Sequence, residues 1–152
     1  MRSPFLILVL ALCSTGTLLL TNCASPLSAG LPNLGQAFTK SLLVNKADGI
    51  PNKKSYTYMT SKNFPAAKTE FANYIGDEWF SVQSTPEIDK RMEDSMKKNI
   101  KSPSKSKFKV NGSVLYLNSK YPDARLIMVH ASTSEVLNLI VVSYEYMLAN
   151  QQ

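Results

Sequence analysis

Two cysteines, one histidine and one tryptophan in 152 residues leave little material for several familiar chemistries. The cysteines, Cys13 and Cys23, both lie near the start, so the chain from Ala24 onward has neither a thiol nucleophile nor a disulfide. Secreted domains of this size often carry paired cysteines. The lone histidine, His130, cannot build a histidine-cysteine metal cluster, and no obvious partner would make it a catalytic base. It falls inside the apolar stretch Arg125 to Ala131 and reads as a hydrogen-bonded structural residue. No acidic calcium loop, glycine-rich phosphate loop or internal repeat occurs. The nearest carboxylate pairs, Asp77 with Glu78 and Glu87 with Asp89, fall at helix ends or on a solvated helix face, where acids serve the helix itself. No cofactor and no metal are therefore expected.

What is present is concentrated at the start. The first 25 residues, MRSPFLILVLALCSTGTLLLTNCAS, combine a basic beginning at Arg2 with an apolar run from Phe5 to Leu20, interrupted by Ser14-Thr15-Gly16-Thr17. A permanent bilayer span needs about 20 predominantly apolar residues. This run is short and broken, so residues 1–22 read as a removed signal peptide. The run ends in Leu20-Thr21-Asn22-Cys23, which resembles the bacterial lipobox, where a branched apolar residue stands three places before a cysteine. Asn22 departs from the usual Gly, Ala or Ser and looks more like the looser lipoboxes of spirochaetal lipoproteins such as those of Leptospira. That resemblance covers the leader alone. It implies diacylation of the Cys23 thiol, cleavage just before it, and attachment to the membrane through lipid. Ala24, standing where an Asp would resemble the enterobacterial inner-membrane retention signal, implies outer-membrane placement. The alternative is an ordinary secretory signal cut by the general peptidase, with Cys23 incidental.

Acids are the second scarcity. Seventeen Lys and Arg face eleven Asp and Glu, a net charge of +6, which becomes +5 once Arg2 leaves with the leader. From Ser95 to Pro122 there is no acid, and Lys97, Lys98, Lys101, Lys107 and Lys109 fall within that stretch. Together they are candidates for binding an anionic lipid, a glycan or an acidic protein surface. Ordinary solvated lysines are the competing reading. Nucleic acid is not an expected partner, because aromatic residues for stacking bases are sparse here.

Residues 23–32, rich in Pro, Ser, Ala and Gly from Ala24 on, read as a lipid-anchored tether, and 33–152 as one small α+β domain. Leu34, Ala37, Phe38, Ser41 and Leu42 fit a short first helix, Asn45 to Pro51 a loop, and Lys54 to Thr60 a strand. Asn63-Phe64-Pro65 opens a helix whose apolar stripe runs through Ala67, Phe71, Tyr74 and Ile75 toward Trp79, with Gly76 a candidate stop. Ser84-Thr85-Pro86-Glu87 starts another, with Ile88, Met92, Met96 and Ile100 recurring every four residues and Ser102-Pro103 as its end. So narrow a stripe suits a helix lying on a sheet. Asn111-Gly112 signals a type I′ hairpin turn between 108–110 and 113–118, placing Phe108, Val110, Leu115 and Leu117 on one face. Arg125 to Ala131 reads as a central strand. Ser132 to Glu135 resembles a helical capping box, yet Ile140 to Tyr146 favours strand, which completes a C-terminal antiparallel meander packed by two or three helices.

Three functions remain open on these grounds. The first is a noncatalytic lipid-anchored envelope protein acting in assembly or surface contact; the second is a secreted binding protein or effector without lipid. The third is an envelope hydrolase with an unrecognised acidic or serine site.

Overall fold

The computed structural model describes residues 31–50, 52–99, 108–133 and 137–147. Six strands, β1 (Leu42–Ile50), β2 (Lys53–Thr60), β3 (Trp79–Gln83), β4 (Lys109–Asn118), β5 (Ala124–Ser132) and β6 (Asn138–Tyr146), form one antiparallel sheet in the order β1-β2-β6-β5-β4-β3. With helices α1 (Phe64–Ile75) and α2 (Pro86–Asn99) they make a small mixed α+β domain. The hairpin β1-β2 and the run β4-β5-β6 are each connected in sequence. β6 then pairs with β2 and joins the two halves.

Helix α1 begins where Asn63 caps it: the side-chain oxygen accepts from the Ala66 N–H at 3.0 Å, and Pro65 needs no donor in the first turn. It ends at Gly76, whose φ of +80° is open to glycine. Its buried residues Ala67, Phe71 and Ile75 face Tyr56, Tyr58, Tyr116, Leu126, Met128, Ile140 and Val142, all buried. An aromatic cluster fixes this layer. The Phe38 ring stacks on Phe71 at 5.5 Å and meets Tyr58 edge-on at 5.1 Å, while Phe71 meets Tyr116 edge-on at 5.3 Å.

The segment before β1 is a three-residue 3-10 turn, Leu34–Gln36, rather than the expected helix. Side chains from elsewhere capture its backbone: Tyr58 Oη donates to the Leu34 carbonyl and accepts from the Ala37 N–H, and Tyr74 Oη donates to the Asn33 carbonyl at 2.7 Å. These bonds replace those a longer helix would make for itself. β1 also corrects the sequence reading, since Asn45 to Ile50 is strand and not loop. It is an exposed edge whose pairing with β2 shifts at two places, so it lacks the alternation that announces a strand.

Helix α2 follows Thr85, whose hydroxyl accepts from the Ile88 N–H, and its first turn carries Glu87 and Asp89 as the helix dipole favours. Met92 and Met96 pack on the opposite side of the sheet from α1, against a cluster of Phe108, Val110, Val129 and Ala131. Two polar links hold α2 to β4. Ser113 Oγ donates to Asp89 at 2.6 Å, and the Val110 N–H donates to Glu93 at 2.8 Å. The expected stop at Ser102-Pro103 lies outside the described residues.

The predicted hairpin at Asn111-Gly112 is not there. β4 runs unbroken through it, with Val110 opposite Ala131, Gly112 opposite His130, and Asn111 as the extra residue of a bulge. Because the bulge adds one residue, Val110, Leu115 and Leu117 keep a common face, as a turn there would also have arranged. Gly112 is chosen by packing rather than by turn geometry, since a β-carbon on it would lie 2.5 Å from Phe64 Cε1. Residues 134–136 of the suggested capping box lie outside the described residues, while 138–146 is strand.

Candidate functional site

The bulge, the start of α1 and the ends of β5 and β6 meet around an open cleft of about 480 Å³. Among the described residues its lining is Asn63, Phe64, Pro65, Asn111, His130, Ser132 and Asn138, with no carboxylate, lysine or arginine among them. The volume falls in the ordinary range for small-ligand sites.

His130 forms the floor. It is 1% exposed, and both ring nitrogens are engaged: Nε2 lies 2.8 Å from the Lys62 carbonyl and Nδ1 lies 3.0 Å from Asn111 Nδ2. A carbonyl can only accept, so Nε2 carries the proton and Nδ1 accepts from the Asn111 amide. Burial pushes the imidazole below its ordinary value, partly opposed by the bond to the Lys62 carbonyl. A neutral, doubly bonded ring has no lone pair left for proton abstraction. Ser132 lies beside it, but its hydroxyl accepts from Asn111 Nδ2 at 2.6 Å rather than from the imidazole.

Each of the three asparagines is held through one atom. Asn63 uses Oδ1 to cap α1, Asn111 uses Nδ2 for His130 and Ser132, and Asn138 uses Nδ2 to donate to the Lys62 carbonyl at 3.0 Å. The other amide atoms, Asn63 Nδ2, Asn111 Oδ1 and Asn138 Oδ1, have no partner among the described residues. Lys62 lends the cleft its carbonyl while its ammonium turns to Glu70 at 2.8 Å and to the Thr39 carbonyl. The described lining is thus fixed and neutral, with one free amide donor group, two free amide acceptors and the hydroxyl hydrogen of Ser132. Asn111-Gly112-Ser113 also fits a glycosylation acceptor pattern, but Ser113 is buried and bonded to Asp89.

The lysine group is only partly brought together. Lys97 pairs with Glu93 at 2.5 Å, and the same carboxylate receives the Val110 N–H, so Lys97 is neutralised locally. Those two bonds, helped by the nearby charges of Lys97 and Lys109, hold Glu93 below the usual carboxylate range. Lys98 and Lys109 are exposed. Lys101, Lys107 and Cys23 lie outside the described residues. In the sequence His130 stands out as the lone histidine, whereas Asn63 reads only as a helix cap, Asn111 as a turn residue, and Asn138 carries no signal. Nothing in the local sequence joins them, because only the β5-β6 register and the start of α1 bring them to one place.

Among the described residues no group of three His, Cys, Asp or Glu side chains could hold a metal, and no helix is long and apolar enough to cross a membrane. No protein-family model, curated protein or solved structure matches the chain.

Proposed function

We propose that this protein is a noncatalytic, lipid-anchored component of the cell envelope whose cleft beside His130 binds a ligand. The observation that carries the binding reading is the fully hydrogen-bonded His130 beneath fixed amides: the described lining positions hydrogen bonds, and its one hydroxyl, on Ser132, accepts from Asn111 and has no base beside it. Support for the anchor comes from the leader, with Leu20 to Cys23 at the end of its apolar run and Ala24 favouring the outer membrane. In this reading residues 1–22 are removed, 23–32 tether the domain, and 33–152 present it, with the C-terminal meander and its packed helices as the frame of the cleft.

Exposed Lys98 and Lys109 would give a second, weaker surface toward anionic headgroups or acidic partners, with Lys97 contributing less because Glu93 holds it; Lys101 and Lys107 join this group by sequence alone. Membrane attachment is tested by Cys23→Ala. Acyl chains contribute about 0.8 kcal/mol per buried methylene, and two or more make attachment stable. The variant is expected to lose palmitate labelling and to leave the membrane fraction while melting as wild type does. Unchanged fractionation of the variant would contradict the anchor and return the secreted alternative.

A further inference from the structure

We propose that the cleft beside His130 recognises a neutral oligosaccharide; this rests on the reading of that cleft as a binding site. Among the described residues no ionised side chain lines the cleft, and Lys62, which contributes its carbonyl, has its ammonium committed to Glu70. An anionic or cationic ligand would surrender its hydration without a counter-charge in return.

The polar atoms left over are of both kinds. Asn63 Nδ2 is a donor, and Asn111 Oδ1 and Asn138 Oδ1 are acceptors; each belongs to an amide already immobilised by its other end. A hydroxyl both donates and accepts, so a ring bearing several hydroxyls satisfies such a mixture without any change of protonation. Preformed partners also avoid the entropy of ordering side chains on binding. Beside them lie Phe64 and Pro65. An aromatic face carries partial negative charge and suits the weakly positive C–H bonds of a sugar ring.

An extended peptide fits less well. Peptides are commonly captured by adding a strand to an open sheet edge, but β5 and β6 are internal strands paired on both sides, and on β4, which β3 covers only from Val114 to Asn118, the Val110 N–H is already taken by Glu93. Side-chain amides, not a row of backbone groups, are what this end of the sheet offers.

The test titrates the full chain, in detergent micelles, with chitotetraose, maltotetraose, a blocked tri-alanine peptide and a heparin-derived oligosaccharide. The side-chain amide signals of Asn63, Asn111 and Asn138 are followed by NMR. Either neutral sugar should shift all three saturably, with an affinity that added salt leaves unchanged. Asn63→Asp keeps the helix cap, because Asp caps as well as Asn, but removes the donor. It should melt no lower than wild type and bind at least about tenfold more weakly, the scale of one lost hydrogen bond. Shifts with the peptide alone, or salt-sensitive shifts with the acidic sugar alone, would overturn the neutral-glycan assignment while leaving the cleft a binding site. No saturable shift from any probe up to about 10 mM, beyond the millimolar affinities of weak ligands, would overturn both. Wild-type binding by Asn63→Asp would overturn the assigned donor and with it the proposal.

Discussion

Replacing Gly112 by alanine is the sharpest perturbation of the cleft's framework. Gly112 does not have a positive φ, so alanine meets no backbone strain there. The cost is purely steric. A β-carbon at this position would lie 2.5, 2.7 and 2.8 Å from Phe64 Cε1, Cζ and Cδ1. Non-bonded carbons settle at about 3.5–4.0 Å, so the ring must retreat by roughly 1 Å. The Phe64 backbone is held between the capping Asn63 and Pro65, so the ring must move by its own torsions, toward the cleft it lines. Overpacking of this kind costs about 1–3 kcal/mol, which for a domain of this size lowers the melting temperature by roughly 5–15 °C. The assay is thermal and urea unfolding of wild type, Gly112→Ala, Phe64→Ala and the double variant. Because the clash is with one ring, adding Gly112→Ala to Phe64→Ala should cost less than about 0.5 kcal/mol. If the full penalty persisted without the ring, the close approach of Phe64 to β4 would be refuted.

Tyr116 is 1% exposed and its hydroxyl has no partner among the described residues, while burial pushes the phenol up to about 12. Tyr116→Phe removes an unpaired polar group and should leave stability unchanged or raise it by up to about 2 kcal/mol in urea unfolding; a loss above about 1 kcal/mol would mean the hydroxyl is satisfied. His130 gives a pH signature. Its folded value is depressed, so on acidification the unfolded chain takes up the proton first, and stability present above about pH 6.5 is lost as pH falls through the folded value. Melting curves should show that loss in wild type and not in His130→Gln, whereas loss from Glu70 and Glu93, both held below 4.5, begins at lower pH in both proteins.

Where local chemistry and tertiary packing agree, the fold is legible in the sequence. Asn63 with Pro65, Gly76 as a stop, and Thr85 with Pro86 mark both helices because capping is a local affair. β5 is inner and paired on both sides, and its apolar run says so. The edge strands are another matter. β1 is exposed almost throughout, so polar and turn-like residues such as Asn45, Asp48 and Gly49 are tolerated, and its strand character comes from pairing with β2. β3 is five residues long and begins at Trp79, which continues the spacing of the α1 stripe and so reads as helix. At Asn111-Gly112 the residues that suit a type I′ turn also suit a bulge, which here takes no positive φ. Phe64, lying directly over the glycine, decides between them. The cleft was illegible for the same reason, since its amides come from α1, β4 and β6 and converge only after the sheet has formed.

The central claim, a binding domain held at the envelope by lipid, is met most directly by intact mass spectrometry of the mature protein extracted from membranes. The expected species is a chain beginning at Cys23 and heavier than its amino-acid sequence by a diacylglyceryl group, with or without a further acyl chain on the new amino terminus. A mature chain of unmodified mass, beginning after Ala24 or retaining residues 1–22, would contradict it.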